Sequence, residues 1–265
     1  MWINVYHKHR SRRCDRTSSW LLRFLSLMMA SVSAAIPTCP FRVLETFSHD
    51  ENNFTQGLIL DDHVLYESVG GYGSSRLIKY QWPSMRLDRQ VSLPKTIFAE
   101  GIALLNNQLY QLTWREGEVI VYDAQDLQVQ SIRPLRGQGW GLAAVDHQTL
   151  IRSDGTHCLY MHEPKTFRQK KSICQSNSRF RFNALAYQDG VIYANHYPTD
   201  DLYRIDQRTG KILDVLNLTS LRSGARAQVT NGVAAAGPGM ILVTGKHWSK
   251  LYRLDVSACR SVASH

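Results

Sequence analysis

The sequence lacks several features by which common enzyme classes are recognised. It has no CxxC pair and no Cys/His cluster at metal-ligand spacing, which argues against a cysteine zinc site. It has neither a GxSxG elbow nor a Ser-His-Asp pattern, so nothing indicates a serine hydrolase. No stretch keeps a helical period. We interpret the scattered histidines at predicted turns as surface residues: His63, His147, His157, His162 and His247.

Strong charge of one sign is also missing from most of the chain. The formal charge is +9 over 265 residues, but residues 1–34 hold six Lys/Arg and one acid. The remainder therefore carries only about +4, and its longest basic run is Lys170-Lys171. With 43% apolar residues the chain is not a disordered polymer. We expect a mildly basic surface and no nucleic-acid partner.

A long apolar run is absent as well. Residues 20–30 form a short apolar stretch interrupted by Arg23, after a basic segment and before the small residues at 31–35. A bilayer span needs ~20 apolar residues, whereas this order is typical of a signal peptide. We predict a signal peptide over residues 1–34, and export to the periplasm or the cell exterior without a stable membrane anchor. The alternative is an uncleaved anchor.

What the sequence does contain is a fivefold repeat. Each unit has a turn ending in a small residue, an apolar strand, a tight Asn/Asp/Gly turn and a second strand; a third run follows each pair, and a fourth follows four of them. The repeats align on Gly57, Gly101, Gly141, Ala184 and Gly232, which are about 44, 40, 43 and 48 residues apart. This pattern is typical of propeller blades. We predict an all-β fold, a monomeric five-bladed β-propeller of four-stranded antiparallel blades, as one domain over residues 41–256.

The ends of the chain supply the strand that the last repeat lacks. Residues 42–48 read as a strand, and antiparallel pairing with residues 250–256 closes the ring and removes an exposed edge. Cys39 precedes the first of these segments and Cys259 follows the second, while Cys158 and Cys174 flank a hairpin. For an exported protein we predict the disulfides Cys39–Cys259 and Cys158–Cys174. The alternative is four free thiols.

Equivalent positions of the five repeats are expected to converge at one mouth of the propeller tunnel. The residues before the aligned small residues are Gln56, Glu100, Trp140, Asn183 and Asn231. A buried acid is costly unless it is paired or used, and Lys246 at the end of the last inner hairpin is the natural partner of Glu100. The repeat places six aromatic residues near the same mouth: Phe54, Phe98, Phe182, Trp114, Tyr197 and Trp248. Packing between blades is the alternative for the phenylalanines, and we interpret Trp248 as structural.

Several segments share the motifs of one known family. In order they are FTQGL, LYESVGGYGSS, FAEGI, LYQLTW, GWGL, SDGT, VIYAN, NGVA and VTGKHWSKLY, from about Phe47 to Asp255. Together they resemble the propeller-type glutaminyl cyclases of plants and bacteria. The resemblance implies a five-bladed propeller that converts the N-terminal glutamine of peptides or proteins to pyroglutamate and releases ammonia.

The resemblance also implies a set of site residues. Glu100 is then the catalytic base and acid, because one carboxyl group can take a proton from the α-amine and return it to the leaving ammonia. Lys250 is an alternative to Lys246, and Tyr197 stands where the family commonly has tryptophan. Residues 183–186 also lack the acid usual in that motif. The substrate-binding residues implied are Phe54, Gln56, Phe98, Trp114, Trp140, Asn183, Tyr197 and Lys246.

Two other functions compete with this interpretation. In a calcium-dependent lactonase, Glu100, Asn183 and Asn231 surround a divalent ion; in a non-catalytic binding propeller, Glu100 has no chemical role. The cyclase chemistry requires no cofactor and no metal; a structural calcium ion in the central tunnel is left open.

Overall fold

The computed structural model describes residues 35–259, which form twenty strands and a short 3-10 turn at Thr219–Leu221. The predicted signal peptide lies outside the described residues. The strands are β1 (Arg42–Ser48), β2 (Thr55–Asp61), β3 (Val64–Val69), β4 (Arg76–Gln81), β5 (Arg86–Ser92), β6 (Ala99–Leu105), β7 (Gln108–Thr113), β8 (Glu118–Asp123), β9 (Val129–Pro134), β10 (Leu142–Asp146), β11 (Thr149–Ser153), β12 (Cys158–His162), β13 (Gln169–Cys174), β14 (Phe182–Gln188), β15 (Val191–His196), β16 (Asp201–Asp206), β17 (Ile212–Asn217), β18 (Thr230–Ala235), β19 (Met240–Gly245) and β20 (Lys250–Asp255).

These strands form five four-stranded antiparallel sheets, so the predicted five-bladed propeller is confirmed. Blades 1 to 4 are β2–β5, β6–β9, β10–β13 and β14–β17, and blade 5 consists of β18–β20 with β1. The inner hairpins turn at residues that tolerate positive φ: Asp62 has φ 48°, Asn106 has φ 51° and Asp189 has φ 50°. Within residues 35–259, no helix is long and apolar enough to span a membrane.

The ring is closed by the two ends of the described chain. β1 pairs antiparallel with β20, from Ser48 opposite Lys250 to Arg42 opposite Asp255. A disulfide between Cys39 and Cys259 lies beside this pairing and joins residues 220 positions apart. The second disulfide links Cys158 and Cys174, which stand directly opposite each other in β12 and β13. Both predicted disulfides are therefore present.

The core lies between neighbouring blades. Leu65 of blade 1 packs with Leu242 of blade 5, and Tyr66 of blade 1 packs with Leu109 of blade 2. The five inner strands surround a narrow cavity of about 140 Å³ lined by aliphatic and other apolar side chains. Because this tunnel is apolar, polar groups of the inner strands lie at the strand ends, among them Gln56, Glu100 and Asn183 where the strands begin.

One interpretation of the histidines is wrong. His162 is only 3% exposed in β12, where its Nδ1 donates to the carbonyl oxygen of Phe167 and its Nε2 accepts from Arg152. Burial lowers the pKa of His162 to about 4. This histidine is a neutral core residue, because its two ring nitrogens are both satisfied inside blade 3.

Candidate active site

A cavity of about 360 Å³ opens at the mouth where the inner strands begin. Its lining consists of the nine residues predicted from the sequence: Phe54, Gln56, Phe98, Glu100, Trp114, Trp140, Asn183, Tyr197 and Lys246. They come from all five blades or the loops that precede them, and the propeller geometry brings them together. Phe182 and Trp248 lie elsewhere, fully buried in the packing between blades.

Bulges in the inner strands aim the polar side chains into this mouth. In four of the five inner hairpins the ladder shifts register where the strand begins, at Gln56, Glu100, Asn183 and Asn231. A bulge leaves one residue out of the ladder and redirects its side chain. The small residue that follows is required by close approach of the next blade: a Cβ on Gly101 would lie 2.5 Å from the backbone nitrogen of Leu142. The repeat seen in the sequence therefore has a packing cause and a functional consequence.

Glu100 is the only acid in the cavity lining and is 5% exposed. Its Oε1 accepts a hydrogen bond from Nε2 of Gln56 at 3.3 Å. Its Oε2 is buried and has no hydrogen-bond partner among residues 35–259. Burial raises the pKa of Glu100 well above its ordinary value of 4.5; the charge of Lys246 opposes this rise, and that of Glu116 adds to it.

Lys246 brings a cation to the same cavity. Its side chain is buried, and Nζ lies 4.4 Å from the ring centroid of Phe54 and 5.5 Å from that of Tyr197. Burial lowers the pKa of Lys246, while Glu100 raises it. Within the described chain, no hydrogen bond or ion pair engages this ammonium group. Lys250, the alternative, is exposed at the start of β20.

Aromatic rings form the walls of the cavity. The rings of Phe98 and Trp114 meet edge to face with centroids 5.4 Å apart, and those of Trp140 and Tyr197 do so at 5.8 Å. Gly155, with φ +78°, lies under Trp140, and a Cβ there would be 2.6 Å from the indole Cε2. Tyr197 thus occupies the wall position where the sequence departs from the family motif, and it keeps an aromatic surface there.

Sequence reasoning missed Gln138, which connects two of these walls. Its Oε1 accepts hydrogen bonds from the indole nitrogens of Trp114 and Trp140, each at 2.9 Å. The residue lies in the loop before β10 and does not line the cavity. Only its position two residues before Trp140 offered a signal. Tyr72 was also missed: it is 53% exposed, touches Phe98 at 5.3 Å and donates to Oε1 of Glu116.

The polar groups do not form the ion site of the lactonase alternative. Asn231 does not line the cavity. Its Oδ1 accepts from the backbone nitrogen of Ala184, so that oxygen is committed to the protein. In the part of the chain described, the two clusters with metal-ligand spacing both contain disulfide-bonded cysteines. Glu100 therefore stands beside amides, an ammonium group and aromatic rings.

Fold and cavity together define a five-bladed propeller with one buried carboxyl group at an aromatic-walled mouth. Residues 17–256 match the family model described as "Glutamine cyclotransferase". A glutaminyl-peptide cyclotransferase from Arabidopsis thaliana is 34% identical over 226 residues, covering 81% of this chain and 70% of that protein. The crystal structure of Myxococcus xanthus glutaminyl cyclase superposes with a TM-score of 0.74 and 33% identity, over 83% of this chain and 99% of that one. The chain belongs to the glutamine cyclotransferase family.

Proposed function

We propose that this protein is a glutaminyl-peptide cyclotransferase that converts the N-terminal glutamine of peptides or proteins to pyroglutamate and ammonia. The observation that carries the proposal is Glu100, a buried carboxyl group with an unpartnered oxygen in an aromatic cavity of about 360 Å³. Membership of the family supports the same activity.

The bound glutaminyl residue is held folded by the aromatic walls. Trp114, Trp140 and Phe98 confine the side chain so that its γ-carbonyl carbon lies next to the α-amine, and they exclude water. Such positioning restricts the flexible glutamine side chain to a near-attack conformer, and this accounts for a large part of the rate of an intramolecular reaction. The rest of the bound peptide extends out of the cavity past Tyr72, which contacts Phe98.

Glu100 carries one proton through the reaction. Starting from the neutral α-amine, the nitrogen lone pair forms the new N–C bond while the Glu100 carboxylate takes a proton from that nitrogen. The carboxylic acid then gives the proton to the amide nitrogen as its C–N bond breaks, so ammonia leaves and the carboxylate is restored. The raised pKa of Glu100 suits both steps, because it brings the carboxyl group closer to the basicity of an amine.

Lys246 stabilises the negative charge that develops on the γ-carbonyl oxygen, and Oδ1 of Asn183, an acceptor, orients the amine. The Lys246 ammonium has no hydrogen-bond or ion-pair partner within residues 35–259, and Oδ1 of Asn183 is buried without a hydrogen-bond partner. Preorganised polar groups in a dry site stabilise a transition state more than they would in water. In this scheme no step uses a metal ion or a cofactor, and a structural calcium ion in the tunnel stays a prediction.

The decisive experiment measures ammonia release from a dipeptide with N-terminal glutamine, together with the pyroglutamyl product by mass spectrometry. We expect turnover by the wild type in the presence of a chelator, and loss of about 10²–10⁴-fold in Glu100→Gln. Glu163→Gln, a matched change on the β12–β13 turn, should behave as wild type. An inactive but folded wild type, a fully active Glu100→Gln, or ammonia release that chelation abolishes contradicts the proposal.

We also propose that the mature protein is an exported propeller beginning near residue 35. The two disulfides support this, since such bonds persist in oxidising compartments. The mass of the protein recovered from the periplasm or medium tests it, and a full-length mass would contradict it. The monomeric state stays a prediction.

A further inference from the structure

Asn231 lies behind the cavity and contacts two neighbouring blades. It is 0% exposed at the bulge of β18. Its Oδ1 accepts from the backbone nitrogen of Ala184 at 3.3 Å, and its Nδ2 donates to the carbonyl oxygen of Thr55 at 3.0 Å. The same Nδ2 donates to Oε1 of Gln56. This side chain therefore joins β14, β18 and β2 immediately beneath the site.

These backbone contacts determine which way the amide of Asn231 points. A backbone N–H can only donate and a backbone carbonyl can only accept. Exchanging the oxygen and nitrogen of Asn231 would place two donors face to face at Ala184 and two acceptors face to face at Thr55. Since Nδ2 must face Gln56, the amide of Gln56 must present its oxygen to Asn231.

The orientation of Gln56 then distinguishes the two oxygens of Glu100. With its oxygen committed to Asn231, Gln56 presents Nε2 to Oε1 of Glu100, at 3.3 Å. A proton on Oε1 would face this N–H donor, so Oε1 is an acceptor in both protonation states. Oε2 has no partner among residues 35–259 and is the oxygen free to bind a proton.

We propose that Asn231 is a positioning residue which, through Gln56, makes Oε2 the oxygen of Glu100 that exchanges a proton with the substrate. The proposal rests on the proposed cyclisation. The proton moves from the α-nitrogen to Oε2 as the N–C bond forms, and from Oε2 to the amide nitrogen as the C–N bond breaks. Oε1 keeps its hydrogen bond from Gln56 throughout, so the carboxyl group does not rotate between the two transfers.

The test is a double-mutant cycle between Asn231 and Gln56. In Asn231→Asp the side chain still accepts from Ala184 but can no longer donate, so Gln56 turns its oxygen toward Glu100. We expect kcat to fall about tenfold or more with KM within about twofold. In the Gln56→Met background the same change should cost less than about threefold, because the residue through which Asn231 acts is gone.

A second readout does not depend on turnover. In protein labelled with ¹³C at the glutamate carboxyl carbons, NMR titration follows Glu100 directly, with the signal assigned by Glu100→Gln. We expect Asn231→Asp and Gln56→Met each to raise the pKa of Glu100, and their effects not to add. Asn231→Ala, which removes the donor without adding charge, is measured in parallel and serves if the aspartate variant does not fold.

Additive effects on kcat, or a titration of Glu100 unchanged by every Asn231 variant that folds, overturn the proposal. These outcomes differ from failure of the proposed function. A folded wild type that releases no ammonia overturns the cyclase activity, whereas the substrate-free titration still decides whether Asn231 acts on Glu100 through Gln56.

Discussion

Nε2 of His49 lies 3.0 Å from Oε1 of Glu67, and neither side chain is more than 1% exposed. His49 directly follows the ring-closing strand β1, while Glu67 belongs to β3 of blade 1. Glu67 also accepts from Oγ1 of Thr55 at 2.7 Å and from Nδ2 of Asn53 at 2.8 Å. Asn53 and Thr55 flank Phe54, whose ring forms a wall of the cavity. One buried acid thus connects closure of the ring to the shape of the site.

This pair makes stability depend on pH in two directions. Burial would raise the pKa of Glu67, but the charge and hydrogen bond of His49, together with hydrogen bonds from Thr55 and Asn53, hold it below 4.5. Burial would lower the pKa of His49, but Glu67, with the carbonyl of Trp248 and the charge of Asp50, raises it above 6.5. The contribution is therefore full between about pH 4.5 and pH 6.5. It is lost as pH falls through the lowered pKa of Glu67, or rises through the raised pKa of His49.

We expect His49→Gln to lower the free energy of unfolding by about 3–5 kcal/mol within that window, because it leaves the buried carboxylate of Glu67 uncompensated. Denaturant unfolding followed across pH measures this loss. Arg42→Gln is the control: it breaks the ion pair to Asp255 at 2.9 Å, where the arginine side chain is 75% exposed, and should leave the free energy of unfolding nearly unchanged because solvent screens an exposed pair. Equal losses of unfolding free energy in the two variants would contradict a stabilising role for the His49–Glu67 pair.

Ionisation of Glu100, which the proposed activity requires, should lower the stability of the folded protein. Its raised pKa means that ionisation is harder in the folded protein than in the unfolded chain, so stability falls as pH rises above 4.5. Glu100→Gln removes that cost and retains an oxygen to accept from Gln56. We expect its Tm to exceed that of the wild type by several degrees at neutral pH, with the gap closing near pH 4. A Tm below that of the wild type at neutral pH would contradict this.

The acidic limb of the pH–rate profile should lie well above 4.5. Glu100 must be ionised and the substrate α-amine neutral for the first proton transfer, and kcat/KM reports ionisations of both the free enzyme and the free substrate. Rates with an N-terminal glutamine dipeptide between about pH 4 and pH 9 locate the limb. An acidic limb at or below 4.5 would mean that another group limits the reaction.

Substitution of Lys246 should reduce activity far more than substitution of Lys250. Lys246→Met keeps an apolar stem in the cavity but removes the cation above Phe54, and we expect kcat/KM to fall about 10²-fold. The matched variant Lys250→Met changes an exposed residue of β20 and should retain nearly full activity. Comparable losses in both variants would return Lys250 to consideration as a site residue.

Gln138 should act on the site only through the two tryptophans. Gln138→Leu leaves the indole N–H groups of Trp114 and Trp140 without their acceptor; we expect kcat/KM to fall about tenfold, mainly through KM. Gln138→Glu keeps an acceptor and should restore much of the loss. ¹⁹F NMR of 5-fluorotryptophan protein checks the cause: Gln138→Leu should shift these two signals and leave that of Trp248 in place.

Much of the fold was predictable because its determinants are local and repeated. Turn residues such as Asp62 and Asn106, with alternating apolar residues between them, define each hairpin within about fifteen positions. The nine cavity residues were predictable for a related reason. In a propeller, equivalent positions of successive blades meet at the axis, so sequence position along the repeat translates directly into location.

The contacts that orient the site were decided by tertiary structure. Asn231 and Gln56 are 175 residues apart, and their hydrogen bond exists because blade 5 closes against blade 1. The buried pair of His49 and Glu67 depends on the same closure. Gln138, in the loop before β10 of blade 3, accepts a hydrogen bond from Trp114 because blades 2 and 3 are neighbours. By itself the sequence determined most of the side chains that reach the mouth, through the repeat and the family motifs, but packing between blades buries three others that the repeat placed there: Phe182, Trp248 and Asn231. Which way those groups point depends on hydrogen bonds between blades, and their partners carry no local signal in the chain.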